Sequence, residues 1–178
     1  MSQLETQFAT ILSDLTTGMV LDDLTELERR IIATWLVKTG IMANWSANYR
    51  RILPDDFPRQ LHREQAPPSH VSCFIGRRDL ANSVGWCQGN LRFLQMRQTD
   101  YETSDTPTSS FVFVIGIMNI LLAFSWHAYD ADFYTISQAG QKMMEFYPML
   151  RTVHELPAFN SEYEAYLLFQ LHPKAAAT

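Results

Sequence analysis

Apolar residues recur along the first third of the chain at three- and four-residue steps, the period that lines up one face of an α-helix. Leu4, Phe8, Ile11, Leu12 and Leu15 make one such stripe. Ser2 and Glu5 stand ahead of it at capping-box spacing, in which the hydroxyl accepts an orphan amide and the carboxylate reaches back to the capping residue. Gly18 suits the stop. Thr25 and Glu28 repeat the spacing and predict a second, longer helix with Leu24, Leu27, Ile31, Ile32, Trp35, Leu36 and Met42 on its buried face. Glu26 and Arg30 are spaced for an exposed i,i+4 ion pair. Trp35 is expected to lie against a sheet, with Phe111, Phe113 or Ile115 among its neighbours. Pro54, Pro58, Pro67 and Pro68 bracket a short helix over residues 60–65.

Beyond residue 70 the texture becomes extended. Residues 71–76, 90–98 and 110–126 read as strands, the last as two strands or one with a sharp bend. Leu91 and Phe93 alternate while Leu94 and Met96 fall out of step, which points to a bulge. Residues 100–109 are polar and read as an exposed loop. A helix is predicted over 138–150, ending near Pro148, and Ser161 with Glu164 is spaced to cap a terminal helix reaching about Leu171. The order of elements argues for one α+β domain over 1–178, an antiparallel sheet packed against N-terminal and C-terminal helices. Residues 1–66 are expected to be mainly helical, 70–135 mainly strands and 138–172 mainly helical.

Composition narrows the class. Hydrophobic residues are 47% of 178 and charged residues 19%, values of a chain that folds around a sizeable core without covalent staples. The longest apolar run, Phe111 to Phe124, is fourteen residues, short of the roughly 20 that cross a bilayer, and its β-branched content favours a buried strand. Cys73 and Cys87 lie in predicted strands and could face one another across a hairpin. With acidic residues where a secretory leader would be basic, both thiols are expected to be reduced and the protein cytoplasmic.

The net charge of −5 hides a pattern. Residues 1–28 carry six acids and no Lys or Arg, whereas residues 29–97 carry eleven bases against four acids, a net of +7. The remainder carries nine acids against three bases. Ten of the central bases are arginines, whose planar fork suits carboxylates and phosphates. Arg50, Arg51, Arg59, Arg63, Arg77 and Arg78 are the candidate partner contacts. The alternative is that this band pairs internally with the acidic flanks, and the sequence leaves both open.

Catalytic signatures are missing. There is no C-x-x-C, H-E-x-x-H, P-loop, G-x-G-x-x-G or G-x-S-x-G, and none of Lys38, Lys142 and Lys174 follows an acid at the offset common in magnesium nucleases. One cluster follows the apolar run: His127, Tyr129, Asp130 and Asp132, which could hold a metal or let Asp130 orient His127 for proton transfer. A strand end turning into a polar loop has the same composition.

Several landmarks together resemble a known group. Met1 to Glu5 resembles the start of a helix, Ala33 to Thr39 a second-helix signature built on Trp35, Lys38 and Thr39, and Pro67-Pro68 the approach to a first strand. Tyr147-Pro148 and Leu156-Pro157 resemble a closing segment. The group is a set of uncharacterised bacterial and phage proteins related to HNH endonucleases, of which this would be the C-terminal, non-catalytic part. Their cysteine-rich finger has no counterpart here, so the resemblance carries over no catalytic residue and no cofactor. It implies core and helix-packing roles for Trp35, Lys38 and Thr39. The leading expectation is therefore a non-enzymatic binding or inhibitory protein, without cofactor or metal, that engages a protein or nucleoprotein partner and no membrane. An example is a phage- or mobile-element-encoded antagonist of a bacterial defence system such as CRISPR. The alternatives are a DNA-binding accessory domain using the arginine band and an enzyme centred on His127 and Asp130.

Overall fold

The computed structural model describes residues 2–17, 23–46, 52–79, 84–89, 92–93, 110–128, 133–137, 143–148 and 158–173. Three helices come first: α1 (Gln3–Thr16), α2 (Glu26–Ser46) and α3 (Phe57–Glu64). Strands β1 (Val71–Arg78), β2 (Val84–Gly89), β3 (Arg92–Phe93), β4 (Ser110–Ile117), β5 (Ile120–His127), β6 (Phe133–Ser137), β7 (Met144–Tyr147) and β8 (Ala158–Phe159) follow. A short helix α4 (Glu162–Tyr166) and strand β9 (Phe169–Pro173) complete the described chain.

The capping boxes form as the spacing predicts. Glu5 accepts from the Ser2 amide at 2.7 Å, and Glu28 accepts from the Thr25 amide at 2.8 Å. Ser161 accepts from the Glu164 amide at 3.1 Å and starts α4. Glu5 also takes an ion pair from Lys38, which ties α1 to α2. Helix α3 begins earlier than the proline spacing suggests, with Pro58 in its first turn, where a missing amide costs nothing. Gln65, in the left-handed region at φ 48°, ends it.

The chain is α+β. Its main sheet runs β2-β4-β5-β1-β7, with β8 also paired to β1. All pairs are antiparallel except β8 with β1, which is parallel. A second sheet runs β3-β9-β6 and mixes a parallel with an antiparallel pair. Strands β4 and β5 occupy the middle of the main sheet, joined through Met118 and Asn119, with Met118 at φ 55°. Every residue of β5, and every residue of β4 but Ile117, is buried. Phe111, Phe113, Ile115, Leu122, Phe124 and Trp126 enter one core with α1, α2 and α3. Val112, Val114, Leu121 and Ala123 enter a second core with Phe74, Phe159, Ala165 and Phe169. The sheet is thus covered on both faces, by the first helices and by the last described segment.

Several expectations change. The 138–172 region is not mainly helical in its described parts: Met144–Tyr147 forms a strand, and the terminal helix stops at Tyr166 before β9. These segments complete ladders whose other strands lie far away in sequence, so local propensity is overridden by tertiary pairing. Of the 90–98 strand only Arg92–Phe93 is described, and the polar loop over 100–109 and Gly18 lie outside the described residues. Cys73 and Cys87 do not face each other, because β4 and β5 stand between β1 and β2, and both are free thiols. Burial pushes the Cys73 thiol well above its ordinary range, with the Glu145 charge adding to it. Trp35 is only partly buried: it stacks on Phe8 of α1 with ring centroids 3.7 Å apart and packs against the core that holds Phe111, Phe113 and Ile115. The buried side of α2 includes Ile32, Ala33, Leu36, Val37, Gly40 and Ile41, while Leu27 and Met42 are exposed. Arg30 leaves Glu26 and donates to the carbonyls of Gln65 at 3.1 Å and Glu64 at 2.8 Å, satisfying orphan acceptors at the end of α3.

Two outcomes test this packing. A Cβ on Gly40 would overlap the Phe124 ring and crowd Phe113 Cγ at 3.1 Å. Gly40→Ala should therefore destabilise by about 1–3 kcal/mol in urea unfolding, despite the better helix propensity of alanine. A stabilised variant would mean that α2 stands further from the sheet. Hydrogen bonding from Lys38, with that from Ser2, lowers the Glu5 pKa from 4.5 to about 2. A depressed carboxylate stabilises the fold above its unfolded pKa and loses that contribution as pH falls through the folded value. A carbon-detected NMR titration should find Glu5 titrating near 2, with Lys38→Met moving it back towards 4.5.

Candidate interaction surface

The central arginines do not form one band. Arg78 is buried at the end of β1, its side chain 1% exposed, and is ion-paired with Glu162 of α4. The two residues stand 84 positions apart, so the pair fastens the last helix to the first strand. Space for it comes from Gly116, where a Cβ would overlap both partners. Gly85 and Gly89 of β2 clear the way for Glu162 and for Tyr166. The same burial, together with the Glu162 charge, raises the Cys87 thiol pKa.

The other candidates go elsewhere. Arg63 pairs with Glu64 at 2.7 Å on the exposed side of α3. Arg59, one turn before it, and Arg77 at the end of β1 are exposed, and neither guanidinium has a partner among the described residues. Arg50 and Arg51 lie outside the described residues. His127 is buried at the end of β5, with the His70 ring centroid 5.9 Å away, whereas Tyr129, Asp130 and Asp132 lie outside the described residues. Among the described residues no group of three His, Cys, Asp or Glu is arranged to hold a metal ion. No helix among them is long and apolar enough to cross a membrane.

Sequence reasoning placed Cys87 in a strand but gave β2 no bounds. This strand pairs with β4, and among the described residues its other edge is not part of a ladder. Its sequence, Val84-Gly85-Trp86-Cys87-Gln88-Gly89, has no charge and no proline, the devices that usually blunt an edge. Trp86 is paired opposite Ile115 and touches Phe113 at a centroid distance of 6.2 Å, yet stays 51% exposed. Val84 opposite Ile117 is 71% exposed, and Met118 beside Ile117 is exposed as well. The signal was the alternation of Val84 and Trp86, masked by the two glycines that accommodate α4 from the other face.

No protein family, curated protein or solved structure matches this chain, so the resemblance to HNH-endonuclease-related proteins rests on its quoted residues alone.

The arginines divide into structural and surface groups, and unfolding separates them. Glu162→Gln removes the carboxylate charge paired with a buried guanidinium and should cost about 3–5 kcal/mol, the range for breaking one side of a buried pair. Arg59→Gln and Arg77→Gln should each stay within about 0.5 kcal/mol of the parent. Equal effects in chemical denaturation would dissolve that division.

Proposed function

We propose that this chain is a non-catalytic binding protein whose partner is a protein, alone or within a nucleoprotein complex. The partner adds an extended segment to the outer edge of β2. One feature carries the reading: an uncharged edge strand bearing exposed Trp86 and Val84, with exposed Met118 beside them. An edge of this kind offers main-chain donors and acceptors for affinity, and side chains on alternate positions for specificity. Tryptophan is among the residues that dominate binding energy when an interface covers it. In this role the chain acts by occlusion, and the use we propose is that of a phage- or mobile-element-encoded antagonist of a bacterial defence complex such as CRISPR.

The arginine geometry supports protein over DNA as the partner. With Arg78 internal and Arg63 paired, Arg59 and Arg77 are the two of the six candidates with unpartnered, exposed guanidinia among the described residues. Duplex affinity grows with the number of phosphates neutralised, and contacts from these two alone would supply little.

A photo-crosslinking residue at position 86 in the native host should capture the partner. Trp86→Lys should then weaken the complex by about 2 kcal/mol or more, and Arg59→Glu with Arg77→Glu should leave it intact. Duplex DNA should bind no better than roughly 10⁻⁴–10⁻⁶ M at physiological salt. Submicromolar, salt-sensitive duplex binding abolished by the double arginine reversal would replace this reading with that of a DNA-binding accessory domain.

A further inference from the structure

A second feature lies away from β2, where the start of α2, the end of α3 and the end of β7 enclose a cleft of about 370 Å³. That volume falls within the range of small-molecule sites, about 300–1,000 Å³. Its charged wall is Glu26, Arg29, Arg30 and Glu64, and its apolar wall includes Tyr147 and Pro148. Two of the four charges are occupied: Arg30 holds the carbonyls at the end of α3, and Glu64 pairs with Arg63.

The other two are not. Among the described residues the side chains of Arg29 and Glu26 make no hydrogen bond and no ion pair. Arg29 is half-buried, and its Nε is fully buried without an acceptor. A buried Nε–H without an acceptor is costly, and a carboxylate entering the cleft would offer acceptors to the rest of the guanidinium fork. Glu26 and Arg29 sit three residues apart on one face of α2, where opposite charges commonly pair, yet they remain unpaired. A positive and a negative group thus face the same cleft separately. An anion with two charges would be repelled by Glu26, whereas a molecule carrying one charge of each sign satisfies both.

We propose that this cleft binds a free α-amino acid with an apolar side chain. The carboxylate lies on Arg29, the ammonium group on Glu26, and the side chain against Tyr147 and Pro148. Tyr147 suits this wall because its phenol is half-buried and held neutral, burial raising its pKa above the ordinary value. The site is independent of the β2 edge, and either can stand without the other.

Ligand-detected NMR on the full chain with L-leucine tests the proposal, with leucine amide, 4-methylpentanoate and inorganic phosphate as comparison probes. L-Leucine should bind saturably at millimolar concentration. Loss of either charge, in the amide or in the acid without its amine, should weaken binding at least about tenfold, or 1.4 kcal/mol. Arg29→Gln and Glu26→Gln should each weaken L-leucine by a similar factor while melting like the parent. Should Arg29→Gln fail to fold, Arg29→Lys keeps the charge without the fork and should still bind more weakly. No saturable L-leucine response, an undiminished response in these variants, or phosphate or 4-methylpentanoate binding as tightly as L-leucine would overturn it.

Discussion

A two-stranded hairpin whose residues are buried on both faces cannot stand at the surface of anything, and β4 with β5 is such a hairpin. Its odd-numbered β4 positions, Phe111, Phe113 and Ile115, need one apolar layer, and Val112 and Val114 need another. The first layer is supplied by α1, α2 and α3, which precede the sheet in sequence. The second must come from downstream, because the residues before the sheet are already used. The arrangement of the whole molecule follows from that division.

The downstream layer is thin, and its attachment is correspondingly specific. Helix α4 has five residues, far below the length at which a helix is stable by itself. Ser161 caps it, Ala165 is buried in the second core, and Gly85, Gly89 and Gly116 let it approach the sheet closely. Charge then fixes its position, since the buried Arg78 requires a nearby carboxylate and Glu162 provides it. The glycines that permit this approach leave Cys87 as the side chain of β2 on that face, and its large residues, Val84 and Trp86, stand on the other one.

What could be read from the chain was what depends on near neighbours. The capping boxes at Ser2, Thr25 and Ser161, the stripe of α1 and the paired strands within 110–126 are all set by residues a few positions apart. Trp35 shows where such reading stops. Periodicity marks it as apolar and inward, but α2 has two inward neighbours, and only packing decides that Phe8 of α1 stacks on the ring. The arginines fail for a related reason. A run of positive charge in sequence spreads over α2, α3 and β1, and its members turn to a helix end, a neighbouring carboxylate, the solvent or the interior. Strands β2, β7 and β8 owe their existence to partners elsewhere in the chain, so composition alone does not announce them. The β2 edge was invisible for the same reason.

The late arrival of the second layer has a consequence during synthesis. The hairpin is complete at His127, but Phe159, Ala165 and Phe169 emerge more than thirty residues later. At roughly 5–20 residues per second that is an interval of seconds, in which Phe74, Val112, Val114 and Leu121 lack the cover of Phe159, Ala165 and Phe169. Over the same interval Arg78 has no Glu162 to meet. A nascent or prematurely terminated chain therefore presents a bare apolar sheet face beside a cation that resists burial. Chaperones and proteases act on exposed apolar surface of this kind, so a chain lacking this segment is open to both.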